Sequence, residues 1–448
     1  MDTFRPAVVM PPPSIYYIGR MPEKIIRDPV HDVIAFELDR PVEALLFSLV
    51  NTIELQRLRR IRQLGLANLA YPGADHCRYA HSLGVMQTAR RMLQRLGTSV
   101  AIDPGPYTVC AAAALLHDLG HGPFSHVFER VSGIDHEQVT CRLIADPETD
   151  VHRVLAAHDP QLPKMVFDFL ECRPARTFLH DILSSQLDAD RFDYLLRDSL
   201  MTGAQYGNFD LSWLLQALVV HGPTQRLAVA GKGISAAEAY LQSRYHLYRN
   251  VYFHKVVRSA EGMLRLTLQR AGRLAMQGRL PWPPRDHPVY LALAGQGLSP
   301  RQFLDLDDVS ILHGFKLWRD GPDATLASLC RGLLNRRLFK VIDLPADADA
   351  PADRVLAAAR DAVHNAGGEA DYAVFLDEPA DTPYRSEADD DLAGGRGIFV
   401  RDSHGNLTEF ARVSPLVEAL NRQLRFRRLH VAEEYRPAVM RAIGRNGP

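Results

Sequence analysis

The sequence predicts a mainly α fold with a short N-terminal β-hairpin and a small C-terminal α+β unit. From Pro41 to about residue 270, apolar residues recur three and four positions apart, which is the helical spacing. Two short apolar stretches surround Asp28-Pro29 within residues 24–37, a pattern typical of a hairpin. After residue 340, short apolar runs alternate with helical patterns, which indicates a mixed α+β unit.

These patterns divide the chain into four predicted parts. The proline-containing residues 1–22 are expected to form an N-terminal arm, and residues 23–278 the main helical domain. A helical extension over residues 279–340 opens with the proline-rich RLPWPPRDHP, and residues 341–448 form the α+β unit. Within the main domain the helical pattern is clearest over residues 54–65, 81–97 and 107–120.

Composition narrows the class of protein. The 448 residues carry a formal net charge of −1, which argues against bulk electrostatic attraction to nucleic acid or membranes. No apolar run approaches the roughly 18 residues that span a bilayer, and prolines interrupt the apolar start of the chain. The five cysteines are widely spaced and include no CxxC pair, as expected for reduced thiols. We therefore expect a cytoplasmic protein without a membrane partner; a nucleic-acid partner stays open.

The stretch HDLGHGPFSH (117–126) places three histidines and an aspartate around a Gly-Pro step. His117 and Asp118 follow an alanine- and leucine-rich helix, where burying them without partners would cost several kcal/mol. A divalent metal would satisfy both, because it binds imidazole nitrogen and carboxylate oxygen together. The alternative is that these histidines cap the helix end through backbone hydrogen bonds, which explains a single histidine better than the whole group.

Two other segments carry the same kinds of residue. They are NLAYPGADHCRYAHSLGV, with His76 and His81, and SSQLDADRFDYLLRDS, with Asp188, Asp190, Asp193 and Asp198. Aspartates at this spacing also occur on solvated helix faces, but the leucines and phenylalanine between them indicate that one side of this helix is buried.

Taken in order, RYAHSLGV, HDLGHGPFSH, DHEQ and DADRFDYLLRD resemble the signature of the HD-domain deoxynucleotide triphosphohydrolases. This family comprises the bacterial dGTPase-type enzymes and the SAM-and-HD-domain proteins, and the resemblance runs from about Lys24 to Lys340. It implies that the main helical domain is an HD-domain core. Two other His-Asp pairs, His31-Asp32 and His180-Asp181, are interpreted as surface or cap residues.

The resemblance implies a metal site and a reaction. The implied ligands of one divalent ion are His81, His117, Asp118 and Asp190. This donor set suits Mn, Fe or Zn, with Mg as a further candidate, and a second Mg is expected to accompany the triphosphate. The implied reaction converts a deoxynucleoside triphosphate (dNTP) into deoxynucleoside and inorganic triphosphate.

The resemblance also assigns residues to the reaction and to the substrate. His126 would donate the proton to the departing 5′ oxygen, and Glu129, where relatives have Asp, would orient it. His121, the third residue assigned to catalysis, and His136 would face the phosphates. The other implied substrate-binding residues are Arg78, Arg191 and Arg244 for the phosphates, Gln63 and Asp198 for the sugar 3′ hydroxyl, Tyr194 and Tyr252 to exclude a 2′ hydroxyl, and Leu64, whose contact on the substrate is left open.

A second resemblance concerns regulation. Segments that in the SAM-and-HD-domain branch build nucleotide effector sites between subunits match here at Lys24, Gln56, Arg59, His254, Arg336 and Lys340. The aspartate that reads guanine in relatives is Asn51, whose amide offers one acceptor and one donor group, so a guanine effector is not expected. The alternatives are another dNTP effector, an interface of a homo-oligomer (a tetramer or dimer), or a solvated basic helix.

Two other functions compete with the triphosphohydrolase. One is an HD-domain 5′-nucleotidase or phosphohydrolase that acts on deoxynucleoside monophosphates. The other is a non-catalytic nucleotide sensor or nucleic-acid-binding protein, which we would expect to have lost metal ligands. The reaction products discriminate among the three: inorganic triphosphate, orthophosphate, or neither.

Overall fold

The computed structural model describes residues 23–171, 177–345, 352–386 and 397–444. The predicted N-terminal arm lies outside the described residues, and so do residues 387–396 of the predicted C-terminal unit. Strands β1 (Glu23–Asp28) and β2 (Asp32–Glu37) pair antiparallel, as the sequence predicts. Asp32 adopts the left-handed conformation at φ 58° where the chain reverses between the strands.

The main domain is helical over most of its length, as predicted. Its first helices are α1 (Pro41–Val50), α2 (Ile53–Arg57), α3 (Arg78–Gly97), α4 (Pro104–Leu116), α5 (His126–Ser132), α6 (His136–Ala145) and α7 (Asp150–His158). They are followed by α8 (Leu162–Leu170), α9 (Phe178–Leu183), α10 (Ala189–Thr202), α11 (Leu211–Ala217), α12 (Ile234–Leu247) and α13 (Lys255–Met276). A π-helical turn, Tyr248–Tyr252, joins α12 to α13.

Helices α3, α4 and α10 form the centre of this domain. Helix α4 packs against α3, and its alanines Ala111–Ala114 are fully buried, so their small side chains allow close approach. Helix α10 also packs against α3; it begins after Asp188, whose side chain accepts from the Arg191 backbone N–H, and is followed by Gly203 in the left-handed conformation. The start of α3, the end of α4 and the start of α10 lie close together, since His81 and His117 both lie within 4 Å of Asp190.

Two segments of the main domain differ from the prediction. The helix expected over 54–65 ends at Arg57, with one 3₁₀ turn (Leu58–Arg60), because Arg62 then pairs with Cys77 as a β-bridge. A hairpin also interrupts the helical region, formed by β3 (Leu218–His221) and β4 (Arg226–Ala230). In both places pairing with a distant or returning segment overrides local helical spacing.

The remaining elements are helices followed by short strands and helices, and the last of them form the α+β unit that the sequence predicts. The helices are α14 (Pro288–Leu293), α15 (Pro300–Leu304), α16 (Asp308–Trp318), α17 (Ala324–Leu334), α18 (Ala352–Asn365), α19 (Ala370–Ala373), α20 (Phe410–Val413), α21 (Pro415–Leu420) and α22 (Arg436–Ala442). The strands are β5 (Lys340–Leu344), β6 (Val374–Asp377), β7 (Ala380–Asp381), β8 (Phe399–Arg401), β9 (Leu407–Glu409), β10 (Leu424–Arg425) and β11 (Arg427–Val431).

One of the sheets contains strands from both the main domain and the C-terminal unit. One antiparallel sheet has the order β5-β11-β6, and β7 pairs with β10. Another has the order β3-β4-β8-β9, in which β4 and β8 run parallel. This sheet crosses the predicted boundary at residue 341, which itself stays a prediction. None of the helices in the described ranges is both long and apolar enough to cross a membrane.

Candidate functional site

Four candidate metal ligands lie together where α3, α4 and α10 meet. His81 occupies the first turn of α3, His117 and Asp118 directly follow α4, and Asp190 occupies the first turn of α10. The His81 Nε2 atom lies 3.1 Å from Asp190 Oδ1 and 3.8 Å from Asp118 Oδ2. The His117 Nε2 atom lies 3.4 Å from Asp118 Oδ1 and 3.8 Å from Asp190 Oδ1.

The donor set fits a divalent cation. Donor atoms of His81, His117 and Asp190 all lie within 4.8 Å of one another. His117 donates from Nδ1 to the Ala114 carbonyl at 3.0 Å, so its Nε2 carries the lone pair. That Nε2 is buried and has no hydrogen-bond partner among the described residues. An ion would remove the cost of this unsatisfied nitrogen and bind the neighbouring carboxylates.

The charges around the group favour a cation as well. Burial alone would lower the pKa of His81, but its hydrogen bonds to Asp190 and Asp193 raise it to about 10. Burial alone would raise the pKa of Asp118, but the charges of His117 and of Arg78 hold it well below its usual range. Burial alone would raise the pKa of Asp190 as well, but the hydrogen bond and the charge of His81 lower it. Both carboxylates are therefore ionised and attract a cation.

Buried residues that contact His81 directly or through Asp193 were given no such role by the sequence analysis. The His81 Nδ1 atom donates to Asp193 Oδ2 at 2.8 Å, and Asp193 is fully buried. His31 Nε2 donates to Asp193 Oδ1 at 2.8 Å, and Arg197 Nε donates to Oδ2 at 2.9 Å. Asp28 in turn accepts from Arg197 at 2.8 Å. The spacing of Asp190, Asp193 and Arg197 by three and four residues was the available signal.

The two other His-Asp pairs have separate outcomes. His31 is not a surface or cap residue, because its side chain is only 2 % exposed and bonds to Asp193. The hairpin turn places it there, which local sequence does not indicate. His180 is a cap residue as expected, since it forms the capping box of α9 with Thr177. Asp181 is neither, because it is buried and accepts from Arg226 Nε at 2.7 Å.

Next to the metal ligands lies a histidine cluster, which we define as His121, His126 and His136. The rings of His121 and His136 stack with centroids 4.0 Å apart, and the His126 ring lies 5.2 Å from that of His121. Glu129 Oε2 accepts from Nδ1 of both His126 (3.2 Å) and His136 (3.0 Å). Burial, and then the charge of Arg78, lower the pKa of His126, while Glu129 opposes this.

The predicted phosphate-binding arginines are held by acidic or polar partners. Arg78 donates to Asp118 and, from Nε at 2.7 Å, to Ser125 Oγ, so it lies beside the metal ligands and the histidine cluster. Arg191 donates to Asp188 and to the Ser185 carbonyl. The third arginine, Arg244, donates to Asp381 Oδ2 of β7 at 3.3 Å, and its guanidinium lies over the Tyr248 ring.

Three of the predicted sugar-site residues lie together. Asp198 is 1 % exposed and accepts from the Tyr252 hydroxyl at 2.7 Å, and the Tyr194 and Tyr252 ring centroids are 6.3 Å apart. Asp198 also accepts from His76 Nε2 at 2.7 Å, a partner that the sequence analysis left unassigned. The backbone N–H of Gln63 donates to the backbone carbonyl of His76 at 3.0 Å. Half-buried Leu64 follows Gln63.

Five of the seven predicted effector residues form two local groups, and Lys24 and Lys340 belong to neither. Asn51, Gln56 and Arg59 belong to the first: Gln56 donates to the Val50 carbonyl at 2.8 Å and accepts from Arg59 Nε at 2.8 Å. Asn51 donates to the Phe47 carbonyl at 2.7 Å.

The second group surrounds residues 69–71. The His254 ring lies 5.5 Å from that of Tyr71, and Arg336 donates to the Leu69 carbonyl at 2.7 Å. Lys340 pairs with Glu433 at 3.2 Å, and Lys24 is exposed on β1.

A cleft of about 460 Å³ opens beside the histidine cluster and is lined by His126, Glu129, Arg130, Gly133 and Asp135. A larger cavity, of about 870 Å³, lies between α17 and the C-terminal unit and shares no lining residue with the site. The smaller cleft adjoins the site, because its lining includes His126 of the histidine cluster and the Glu129 that holds it.

Comparison with known proteins identifies the class. The HD domain family matches residues 78–197, and the HD associated region matches residues 209–277. The chain belongs to the HD-domain phosphohydrolases.

Particular relatives agree with this assignment. The uncharacterized protein YwfO of Bacillus subtilis is 36% identical over 401 residues, 89% of either chain. A phosphohydrolase structure from Bacteroides thetaiotaomicron superposes with a TM-score of 0.78 at 31% identity, covering 92% of this chain and all of that one. The SAMHD1 homolog of Dictyostelium discoideum, named a deoxynucleoside triphosphate triphosphohydrolase, is 28% identical over 345 residues, 73% of this chain and 61% of that protein.

Proposed function

We propose that this HD-domain phosphohydrolase converts dNTPs into deoxynucleosides and inorganic triphosphate. The observation that carries the proposal is the position of the histidine cluster directly beside the four candidate metal ligands, joined to them by His121, whose Nε2 lies 3.3 Å from Asp118 Oδ1. A phosphate chain bound across the two groups would place one phosphorus near the metal and its 5′ oxygen near a proton donor.

In this proposal His81, His117, Asp118 and Asp190 hold one divalent ion, with manganese, iron or zinc as the candidates and magnesium less suited to the imidazoles. When bound, such an ion would lower the pKa of a water molecule and polarise a phosphoryl oxygen. Asp193 fixes the tautomer of His81, because its carboxylate accepts the Nδ1 proton at 2.8 Å and leaves Nε2 for the ion.

His126 donates the proton to the departing 5′ oxygen. Its Nδ1 is held by Glu129 at 3.2 Å, which leaves Nε2 directed away from Glu129, and its side chain is 61 % exposed toward the cleft. A triphosphate brings about four negative charges, which would raise the lowered pKa of His126 and so keep it protonated. Arg78 and His136 bind the phosphates, and a second Mg is proposed to travel with them.

The substrate class rests on the group formed by Asp198, Tyr194 and Tyr252. The buried Asp198 carboxylate accepts from Tyr252 and would exchange this partner for, or share it with, the sugar 3′ hydroxyl. The two aromatic rings would fill the space of a ribose 2′ hydroxyl, which favours deoxynucleotides. Gln63, Leu64, Arg191 and Arg244 complete the proposed substrate site.

We further propose regulation by a nucleotide effector bound between subunits of a homo-oligomer, either a tetramer or a dimer. The two local groups of effector residues would belong to different parts of one intersubunit site. Asn51 donates to its own helix backbone, so its remaining amide oxygen would be the only acceptor for a base. This favours an effector other than a guanine nucleotide.

Product analysis tests the proposed function. Metal-replete protein is incubated with the four dNTPs, singly and mixed, and products are separated by ion-exchange chromatography. We expect deoxynucleoside and inorganic triphosphate in equal amounts. Orthophosphate from a deoxynucleoside monophosphate would indicate the nucleotidase instead, and no product under any mixture or metal would indicate a sensor.

A further inference from the structure

Each ring of the histidine cluster has one nitrogen held by a carboxylate. His121 Nε2 lies 3.3 Å from Asp118 Oδ1, and Nδ1 of His126 and of His136 lie 3.2 Å and 3.0 Å from Glu129 Oε2. A carboxylate that accepts one ring proton fixes the tautomer and leaves the lone pair on the other nitrogen. This is the usual arrangement behind histidines that bind metals.

The three rings offer nitrogens close enough together to share one ligand, and His121 carries a buried nitrogen without a hydrogen-bond partner among the described residues. His121 Nδ1 is buried, in a residue only 2 % exposed, and has no hydrogen-bond partner within the described ranges. One ring nitrogen of each of the three histidines lies within 4.8 Å of one nitrogen of each other ring. A buried nitrogen without a partner is costly, so the arrangement favours a ligand that accepts a lone pair.

We propose that His121, His126 and His136 form a second metal site, which binds a borderline divalent ion such as Zn²⁺ when nucleotide is absent. Three imidazoles with an open fourth position are a known zinc geometry. This inference rests on the proposed function for its consequence: the ion occupies the His126 nitrogen that would carry the proton, so filling the second site stops hydrolysis.

The surroundings allow an ion to enter and connect the two sites. The cleft of about 460 Å³ is lined by His126 and Glu129, so an ion could reach the histidine cluster from solvent. Asp118 belongs to the proposed first site and also holds His121. The two sites therefore share a carboxylate, and an ion in one would change the affinity of the other.

Metal stoichiometry tests the second site without reference to activity. The full chain is stripped with a chelator, dialysed against buffered Zn²⁺ without nucleotide and analysed for zinc by mass spectrometry. We expect two ions per chain in the wild type and one in His136→Gln. In Glu129→Gln, which removes only the orienting carboxylate, we expect the second ion to bind about 10- to 100-fold more weakly while the first is unchanged. Circular dichroism checks the fold of each variant.

The outcomes separate this inference from the proposed function. One ion in the wild type and one in His136→Gln would overturn the second site, and so would two ions in both. Loss of one ion in Asp190→Asn, with the second retained, would support both sites. If Asp190→Asn keeps two ions, the first site and the proposed function fail, while the His136→Gln result still decides the second.

Inhibition tests the consequence. Hydrolysis by protein loaded with one ion should fall at least tenfold as the second ion binds, and the fall should require 10- to 100-fold more free Zn²⁺ in Glu129→Gln. An unchanged rate at full occupancy of both sites would overturn the blocking role.

Discussion

The guanidinium of Arg57 donates from Nη2 to the carbonyl oxygen of His121 at 2.9 Å. The same side chain donates from Nε to the Leu306 carbonyl at 2.9 Å and lies over the Phe303 ring, 4.5 Å from its centroid. Burial lowers the pKa of Arg57 to about 9. Helix α2, which carries the predicted effector residue Gln56, is thus connected through one buried cation to the loop that holds His117, Asp118 and His121.

Replacing Arg57 should therefore affect both stability and turnover. In Arg57→Met the carbonyls of His121 and Leu306 lose their donor, and we expect the free energy of unfolding to fall by about 2–4 kcal/mol. The loop would also shift, which should lower kcat more than it raises KM. Urea unfolding and steady-state kinetics measure the two effects. The control is Arg319→Met, since Arg319 is exposed and is not among the predicted site or effector residues; equal losses in the two variants would contradict the assignment.

Asp193 should control metal affinity although it is not a candidate ligand. In Asp193→Asn a neutral amide replaces the carboxylate that accepts the His81 Nδ1 proton. We therefore expect metal affinity to fall about 10- to 100-fold. The control is His31→Gln, which removes only the outer partner of Asp193 and should cost less. Isothermal titration with Mn²⁺ measures both. An affinity for Asp193→Asn within twofold of wild type would contradict this role.

Two variants should distinguish the proposed metal ligand Asp190 from the proposed proton donor His126. Asp190→Ala should lose bound metal and activity together. His126→Ala should keep its first-site metal and lose at least about 100-fold in kcat, because proton transfer to the leaving oxygen is lost. Elemental analysis and turnover measured on the same samples distinguish them. Full metal content in Asp190→Ala would show that Asp190 is not a metal ligand. A fall in kcat of less than about tenfold in His126→Ala would show that His126 is not the proton donor.

His430 should make the fold sensitive to acid. It is fully buried on β11, stacks on Phe375 with ring centroids 4.6 Å apart, and burial lowers its pKa to about 4. The His430 imidazole binds a proton near pH 6.5 in the unfolded chain but only near pH 4 in the folded chain. Burial of the neutral ring therefore contributes its full stability above pH 6.5. This contribution is lost as the pH falls toward 4, by up to about 3 kcal/mol.

The variant His430→Phe should remove this dependence. Urea unfolding at pH 7.5 and at pH 5.0 gives the change in unfolding free energy for each protein. We expect the wild type to lose about 2 kcal/mol more than the variant between these values, as the lowered pKa requires. Equal losses would show that His430 does not titrate with unfolding.

The sequence by itself determined the helical class and the N-terminal hairpin, because helical and strand spacing report locally which faces are buried. The need of His117 and Asp118 for partners at the end of an apolar helix could also be read locally. The set of His81, His117, Asp118 and Asp190 was implied by the family resemblance and not by local spacing.

Only the tertiary structure decided which distant segments complete the site and the sheets. Asp193 bonds to His31, 162 positions earlier in the chain, and β4 pairs with β8, although neither contact leaves a periodic pattern. Glu129 likewise contacts two histidines rather than one because His136, at the start of α6, lies next to it. The physical reason is that periodicity records how much of a residue is buried, whereas the identity of its partner depends on how the helices pack.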